Sequence, residues 1–396
     1  MHKTAFEQQI EIIMRSELQE ELNIFREMVI RFIENEIAPN YEEWENNKII
    51  PKAFYEKMGA EGLLCCDIPE EFGGFGVSVD FNMMVVEEIA KAGYFALACN
   101  LIVHSDIAAH YVLNMGTEQQ KQKYLPGMID GSCIGAICMT EPGAGSDLQG
   151  MKTTATRTDS GWSLSGSKTF ISNGQNASCY IVAARTNLEA PGSKGMSLFL
   201  VDGDKEGFTR GQNLHKMGQA ASDTSELFFD NIQLTDADVL GEVDGGFIGL
   251  MHELPRERLA CACIGTAHAE GALELAVEYI KERQAFGAPI ARLQDIRQKI
   301  AHMATQTELH RIMMEQYKLL LSEKKLTTVQ ASMAKYSACE MECDVIDTAL
   351  QMFGGYGYMK EYPISRFYVD ARVQRIYGGT SEIMKEIIGK GVIGRV

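Results

Sequence analysis

The chain has 396 residues, of which 45% are hydrophobic and 23% are charged. This composition excludes a disordered protein and leaves enough apolar residues for the cores of two or three domains. The 37 Lys and Arg residues stand against 54 Asp and Glu residues, which gives a net charge of −17. A charge of that sign argues against nucleic acid or an anionic membrane as the main partner.

Neither a membrane span nor a targeting segment is expected. The longest wholly aliphatic or aromatic runs, such as residues 198–201, are far shorter than the roughly 20 apolar residues that a membrane span needs. Residues 1–6, followed by an acidic helical pattern, match neither a signal peptide nor an organellar leader, so we expect a cytoplasmic protein. The ten cysteines include no C-x-x-C and no zinc-finger spacing. We interpret them as reduced core thiols and expect no metal site.

The first third of the chain, residues 1–132, is predicted to be an all-α domain. An acidic amphipathic helix is expected over residues 7–37, and prolines at positions 39 and 51 separate it from a helix at residues 53–62. Apolar periodicity predicts further helices over residues 81–92, 95–115 and 118–129.

Glycine usage separates the middle of the chain from its end. Seventeen glycines lie between Gly135 and Gly249, and none lies in residues 288–353. Because glycine marks turns and is costly inside helices, residues 133–243 are expected to form short strands. The predicted strands are residues 133–140, 152–158, 162–171, 180–186, 196–201 and 226–234. Together they predict a β-barrel or β-sandwich domain.

The last third, residues 244–396, is predicted to be a bundle of long helices. One helix is expected from residue 256 to about residue 284. Apolar positions keep a spacing of three and four over residues 296–321 and again over residues 334–352, which is typical of bundle helices. The predicted fold class is therefore α+β, with an N-terminal all-α domain, a middle β domain and a C-terminal four-helix bundle.

Four segments are not explained by a plain core. They are the glycine-rich loop 140–147 directly after a predicted strand, residues 170–174, residues 283–287, and the paired glycine segments 351–355 and 377–382. Taken singly, each has a structural interpretation as a tight turn, a strand end or a helix end. No G-x-G-x-x-G follows a strand and no Walker loop is present, so a Rossmann fold is not expected.

Taken in order, these segments resemble the acyl-CoA dehydrogenase family over essentially the whole chain. Residues 140–147, Thr-Glu-Pro-Gly-Ala-Gly-Ser-Asp, resemble the first signature of that family, and residues 350–380 resemble its second. The resemblance implies a non-covalent FAD between the β domain and the C-terminal helices. It also implies a homotetramer in which a neighbouring subunit reaches the ADP half of the cofactor.

The resemblance assigns cofactor contacts residue by residue. Those lining the flavin are Ile137, Met139, Thr140, Gly145, Ser146, Phe170, Ile171 and Ser172. Trp and Thr are more usual in the family at the positions of Phe170 and Ser172. The pyrophosphate and adenine contacts are Arg283, Phe286 and Gln294, those given across the subunit interface are Gln351, Gly354 and Gly355, and those near the C-terminus are Thr380 and Glu382.

The implied reaction is the α,β-dehydrogenation of an acyl-CoA thioester to a trans-2-enoyl-CoA. A base removes the α-proton while a hydride leaves the β-carbon for flavin N5, and a carboxylate in a dry pocket suits that base. In most of the family the base is the Glu of a Y-E-G-T motif, but residues 377–380 read Tyr-Gly-Gly-Thr here. The long-chain and isovaleryl branches share this departure and carry the base on a preceding helix.

The relocated base matches Glu257, and its nearest competitor is Glu253. Judged without the resemblance, Glu257 is an exposed carboxylate in the first turn of a helix, where the helix dipole favours it. The resemblance also implies substrate contacts from Ser146, Arg258, Tyr377, Gly378 and Gly379.

The substrate class is suggested by residues 140–150, 214–218, 254–259 and 377–386, which look most like the long-chain branch. We therefore predict a long or medium straight-chain acyl-CoA, with an electron-transferring flavoprotein as the acceptor. A branched short-chain acyl-CoA and an acyl thioester on a carrier protein stay open. An oxygen-using oxidase is a further alternative, although the chain is short for that class, and the charge of −17 opposes a DNA-associated relative.

Overall fold

The computed structural model describes the backbone of residues 5–394 and the side chains of residues 18–394. Residues 1–4, which belong to the segment in which no leader was expected and to the predicted first domain, lie outside the described part. So do residues 395–396, at the end of the predicted last domain. Helices at both ends of the chain flank a central sheet. The N-terminal helices are α1 (Ala5–Phe32), α2 (Tyr41–Asn47), α3 (Lys52–Ala60), α4 (Val79–Lys91), α5 (Phe95–Leu101), α6 (Ala109–Met115) and α7 (Glu118–Asp130).

The helix predicted over residues 95–115 is a continuous stretch whose middle, Ile102–Ala108, is π-helical. Within the described chain, Phe95–Met115 is the one segment whose length and mean hydropathy of 1.3 would suit a membrane span, and 89% of its apolar window is buried. This stretch is therefore a core helix. The next helix, α7, begins at a capping box in which Thr117 and Gln120 satisfy each other's backbone N–H groups.

The middle of the chain forms one eight-stranded sheet. Its strands are β1 (Gly135–Cys138), β2 (Thr154–Thr158), β3 (Gly161–Ser172), β4 (Cys179–Arg185), β5 (Met196–Asp202), β6 (Phe208–Asn213), β7 (Thr224–Leu234) and β8 (Val239–Leu240). Their order is β6-β7-β3-β2-β4-β5-β8, and β1 pairs with β4 in parallel. A single residue pair, Thr154 with Arg185, joins β2 to β4. Strand β1 also lies close to β3, so it contacts strands on both sides of the junction between β2 and β4.

The C-terminal part is helical again. A short hairpin, β9 (Gln284–Ala285) and β10 (Ala288–Pro289), follows α8 (Gly246–Glu282) and leads to α9 (Gln294–Ser322), α10 (Thr328–Phe353), α11 (Pro363–Ala371) and α12 (Ser381–Ile393). Helices α8, α9 and α10 pack on one another, and α12 packs on α10. This arrangement gives the expected four helices.

The predicted start of α8 at residue 256 is wrong. Helix α8 begins ten residues earlier and carries Pro255 in its interior. A proline inside a helix costs about 3 kcal/mol, because it lacks an N–H donor and its ring clashes with the preceding turn. Leu250 and Leu254 lie four residues apart on this part of the helix and are both buried. Their packing outweighs the local cost, and it moves Glu257 from a first turn into the helix interior.

Candidate active site

Glu257 is buried on α8, with 4% of its surface exposed. The hydroxyl of Tyr111 on α6 donates to its Oε1 at 2.7 Å. Burial raises the pKa of Glu257 from 4.5 to about 7, while the Tyr111 hydrogen bond and the charge of Arg258 act in the opposite direction. The interpretation of Glu257 as an exposed first-turn carboxylate is therefore wrong. A carboxyl that titrates near neutrality in a dry interior suits a general base.

Two charged neighbours of Glu257 on α8, Glu253 and Arg258, are also buried. Glu253, one turn earlier, accepts from the Nδ2 of Asn114 at 3.0 Å on both carboxylate oxygens, and burial raises its pKa. Arg258 donates from Nη1 to the hydroxyl of Ser332 at 3.3 Å, and its Nε has no partner within the described chain. Because a buried guanidinium is rarely left unpaired, Arg258 keeps hydrogen-bonding capacity for a ligand.

The glycine pair of the C-terminal motif lies beside the same helix. Gly378 and Gly379 have φ angles of 64° and 98°, a left-handed region that favours glycine. A Cβ on Gly378 would lie 3.6 Å from the Sγ of Cys261, one turn after Glu257. The buried Lys335 donates to the carbonyl of Gly379 at 2.7 Å and so fixes the loop. The motif that lacks the usual base is thus adjacent to the helix that carries Glu257.

The residues expected to line the flavin lie at the ends of β1 and β3. The half-buried Ile137 and Met139 alternate with buried neighbours and share one face of the chain. The Thr169 backbone N–H donates to the Thr140 carbonyl at 2.9 Å, which joins the two strand ends. Ile171 is buried, whereas the ring of Phe170 is 67% exposed with a positive φ of 58°. An exposed aromatic ring beside a glycine loop provides an apolar surface on which a flat ring can lie.

The polar groups at these strand ends fit a ring with several acceptors. Within residues 18–394, the side-chain hydroxyls of Thr140, Ser146 and Ser172 make no hydrogen bond to protein. A Cβ on Gly145 would meet nothing within 4 Å, so space is open above the loop. Free hydroxyls and open backbone beside an exposed ring match the donor set that a flavin requires.

A buried ion pair between Lys168 and Glu141 anchors the start of the glycine-rich loop. Lys168 on β3 donates to Glu141 Oε1 at 2.9 Å and to the Met139 carbonyl at 3.0 Å. Glu141 also accepts from the backbone N–H groups of Lys152 and Thr153. Residues 139 to 141 are therefore tied to β3 and to the start of β2. Sequence reasoning missed Lys168, although a cation inside an otherwise alternating strand was an available signal.

The residues expected to contact the pyrophosphate and adenine lie elsewhere. Arg283 stacks on Tyr356 at 5.6 Å and lines an open pocket of about 500 Å³ with Gly354 and Gly355. Phe286 in the same hairpin is 94% exposed with a φ of 53°. Gln294 begins α9, and it and Gln351 are exposed.

The group around Arg283 follows the end of α8, far along that helix from Glu257. Glu257 and the end of α8 at Glu282 are separated by 25 residues of helix, or about 38 Å at 1.5 Å per residue. Near the C-terminus, Thr380 caps α12 through its hydroxyl and Glu382 is exposed in the first turn. Tyr377 is held by a 3.3 Å contact between its hydroxyl and the thiol of Cys99.

His104 has a structural role. The backbone N–H of Gly135 donates to its Nδ1 at 3.1 Å, so its Nε2 carries the proton that is donated to the Met128 carbonyl at 2.9 Å. Burial lowers the pKa of His104 to about 4, so the ring is neutral. It joins the π-helical stretch to α7 and to β1.

Three family models match the chain. Residues 19–132 match "Acyl-CoA dehydrogenase, N-terminal domain", residues 136–232 match "Acyl-CoA dehydrogenase, middle domain" and residues 244–393 match "Acyl-CoA dehydrogenase, C-terminal domain". The matches follow one another in the same order as the helical, sheet and helical parts of the chain.

Whole-length relatives agree with these matches. The long-chain specific acyl-CoA dehydrogenase of Rattus norvegicus mitochondria is 44% identical over 97% of this chain and 89% of its own. A crystal structure of acyl-CoA dehydrogenase from Geobacillus kaustophilus is 41% identical, with a TM-score of 0.92 over 94% of this chain and 98% of that one. An acyl-CoA dehydrogenase complexed with FAD from Bacillus anthracis is 30% identical, with a TM-score of 0.88 over 94% and 67%.

Proposed function

This chain belongs to the acyl-CoA dehydrogenase family, and from that premise we propose that Glu257 is its catalytic base. The enzyme is an FAD-dependent oxidoreductase that introduces an α,β double bond into acyl-CoA thioesters. The observation that carries the assignment of the base is the buried Glu257 carboxyl, whose pKa is about 7. A group with that pKa is ionised for a useful fraction of the time at neutral pH and still binds the proton that it removes.

The two oxygens of Glu257 have different roles in this proposal. Oε1 accepts the Tyr111 hydrogen bond, so Oε2 is the oxygen that receives the α-proton. Arg258 lies next in sequence and is a buried cation with an unpaired Nε, and we assign it to the acyl-CoA. Ser146 contributes a free hydroxyl from the glycine loop.

The loop at residues 377–379 is assigned to the thioester group. Within the described chain, the backbone N–H groups of Gly378 and Gly379 make no hydrogen bond, and Lys335 and Tyr377 hold the loop in place. Backbone donors on a fixed loop stabilise the negative charge that develops on a thioester oxygen.

For the cofactor, we assign the isoalloxazine ring to Ile137, Met139, Thr140, Gly145, Ser146 and the segment from Phe170 to Ser172. Bound there, FAD would supply the acceptor for the hydride that leaves the β-carbon. The protein residues exclude water and orient the substrate between the ring and Glu257. We retain the division at residues 132/133 and 243/244 as the domain boundaries.

We assign the ADP half of a cofactor to Arg283, Phe286, Gln294, Gln351, Gly354 and Gly355, and we assign Thr380 and Glu382 to further cofactor contacts near the C-terminus. The resemblance implies a homotetramer, and the separation of about 38 Å along α8 supports a contribution from a second copy of the chain, which would supply the group around Arg283 to a flavin held near Glu257 of the first. Mass measured in solution, with and without Phe286→Ala and Arg283→Ala, tests this assignment.

The preferred substrate is proposed to be a long or medium straight-chain acyl-CoA, which the 44% identity to a long-chain relative supports. An electron-transferring flavoprotein is proposed as the acceptor, since no second redox motif was found in the sequence. We also propose a cytoplasmic location. All ten cysteines are free thiols and eight of them are buried, which fits a reducing compartment.

The test is anaerobic reduction of the purified yellow protein by long straight-chain, short-chain and isovaleryl-CoA, added separately. We expect the long chain to bleach the flavin absorbance most rapidly. Bleaching by isovaleryl-CoA alone would support the proposed reaction but would make a branched short-chain acyl-CoA the substrate. Bleaching only by an acyl thioester of a carrier protein would make that protein, and not CoA, the thiol carrier. Absence of bleaching by any thioester in the FAD-loaded protein would refute the activity.

The variant Glu257→Gln tests the base. It is expected to bind FAD normally and to lose turnover by about 10²- to 10⁴-fold, the usual contribution of a general base. Glu278→Gln is the matched control, because Glu278 is an exposed carboxylate on the same helix. Turnover of Glu257→Gln close to that of the wild type would remove Glu257 from the mechanism.

A further inference from the structure

Tyr111 is a buried residue next to the proposed base, and its hydroxyl makes no other hydrogen bond in the described chain. We propose that Tyr111 is a positioning residue for dehydrogenation, which leaves Glu257 Oε2 free for the α-proton and stabilises the ionised carboxylate. This inference rests on the proposed role of Glu257. Tyr111 lies on α6, 146 residues before Glu257 in sequence, and no motif of the family resemblance includes it.

The contact has the geometry of a charge-assisted hydrogen bond. The Oη of Tyr111 lies 2.7 Å from Oε1 of Glu257, close to the range for O–H···O⁻ bonds. Both side chains are buried, with 0% and 4% exposure. Burial and the neighbouring Glu257 hold the pKa of Tyr111 well above its ordinary value, so the phenol keeps its proton and is the donor. A bond shielded from water is stronger than one at the surface.

The residues adjacent to this pair hold the two helices together. His110 binds Asp67 through Nε2 at 3.1 Å, and Arg256 binds Asp67 and Asp106 through Nη2 at 2.7 Å each. His110 precedes Tyr111 in sequence, and Arg256 precedes Glu257. A buried ion cluster therefore fixes α6 against α8 one residue away from the Tyr111 hydroxyl. The position of that hydroxyl is set by the scaffold and does not depend on the substrate.

Four groups face the Glu257 carboxyl. Tyr111 comes from α6, and Glu253, Arg258 and Cys261 come from α8. Glu253 acts to raise the pKa of Glu257, Arg258 acts to lower it, and the Cys261 thiol is neutral because its own pKa is raised to about 12. Without the Tyr111 hydroxyl, burial and the charge of Glu253 still raise the pKa of Glu257, and Arg258 is the one remaining group of the four that lowers it. The pKa of Glu257 must then rise above about 7.

The test is Tyr111→Phe in the FAD-loaded enzyme. The base must be ionised to act, so the acid limb of the pH profile of kcat is expected to move upward by about one pH unit, given the worth of a hydrogen bond to a charged group. Below that limb kcat should fall about tenfold, while kcat at high pH approaches the wild-type value. Tyr124→Phe is the control, because Tyr124 is a buried tyrosine that donates to a carboxylate, Asp202, at 2.9 Å.

A second readout separates this inference from the proposed function. The infrared C=O band of protonated Glu257 is identified by its loss in Glu257→Gln, and its titration does not require turnover. A band that titrates at higher pH in Tyr111→Phe than in the wild type supports the inference. A wild-type protein without turnover on any acyl thioester would refute the proposed function, and the band would still decide the role of Tyr111. An unchanged band, or a kcat limb that moves equally in Tyr124→Phe, overturns the inference.

Discussion

The Glu257 carboxyl should make the enzyme less stable at alkaline pH. Its pKa rises from 4.5 to about 7 on folding because of burial. As pH increases from 4.5, the unfolded chain releases this proton first, so stability falls until the folded carboxyl also ionises near pH 7. The loss amounts to about 3 kcal/mol above pH 7. Glu257→Gln, which cannot ionise, should therefore be about 3 kcal/mol more stable than the wild type at pH 8.5.

The gain should depend on pH, which distinguishes it from a simple packing effect. At pH 5.5 the Glu257 carboxyl is largely ionised in the unfolded chain and largely protonated in the folded chain. The stability gain of Glu257→Gln over the wild type should therefore shrink to about 1.5 kcal/mol. Guanidinium unfolding followed by helical circular dichroism, at one fixed protein concentration because assembly contributes to stability, measures both values. Glu278→Gln, which changes an exposed carboxylate on the same helix, serves as the control. A variant no more stable than the wild type at pH 8.5, or a gain that is equal at both pH values, would refute the reasoning.

Two further variants test the glycine loop and the relocated base. Lys168→Met leaves the buried Glu141 with only its two backbone donors, so it should cost about 3 kcal/mol in guanidinium unfolding and speed FAD loss on gel filtration. Lys168→Met with Glu141→Gln should recover part of that stability, and a single variant as stable as the wild type would contradict the role of the pair. Gly378→Glu added to Glu257→Gln should restore turnover by about tenfold, measured by flavin bleaching. There is room for its Cβ, with the nearest atom at 3.6 Å, although the φ of 64° costs about 1–2 kcal/mol. A folded, FAD-loaded double variant without any gain would contradict this placement.

Periodicity and glycine usage predicted much of the fold. The long helices α9 and α10 follow from their apolar stripes, and most of the strands follow from short alternating runs. Strand β6 was missed because its sequence, Phe-Thr-Arg-Gly-Gln-Asn, has one apolar residue and no alternation. Helices α11 and α12 were also missed. The start of α8 was placed ten residues too late, because the packing of Leu250 and Leu254 outweighs the local cost of Pro255.

The candidate site was less accessible to sequence reasoning than the fold. Glu257 was identified through resemblance, while its burial and its perturbed pKa depend on tertiary contacts. Tyr111 and Asn114 contact α8 from positions about 140 residues away in sequence, and no local pattern marks them. Lys168 and Glu141 form a pair across 27 residues for the same reason. Such contacts arise only when segments that are distant in sequence pack together in the folded chain.

The π-helical stretch Ile102–Ala108 shifts the angular position of side chains around the axis of one long helix. Its wider turns change the angular register between the residues before it and those after it. Tyr111 and Asn114, which contact α8, follow this stretch, so their direction includes the offset. Deleting one residue here, such as Ala108, would leave the composition almost unchanged, yet it would rotate α6 by about 100° relative to α5. The hydrogen bond from Tyr111 to Glu257 thus depends on the number of residues in the helix as well as on the tyrosine side chain itself.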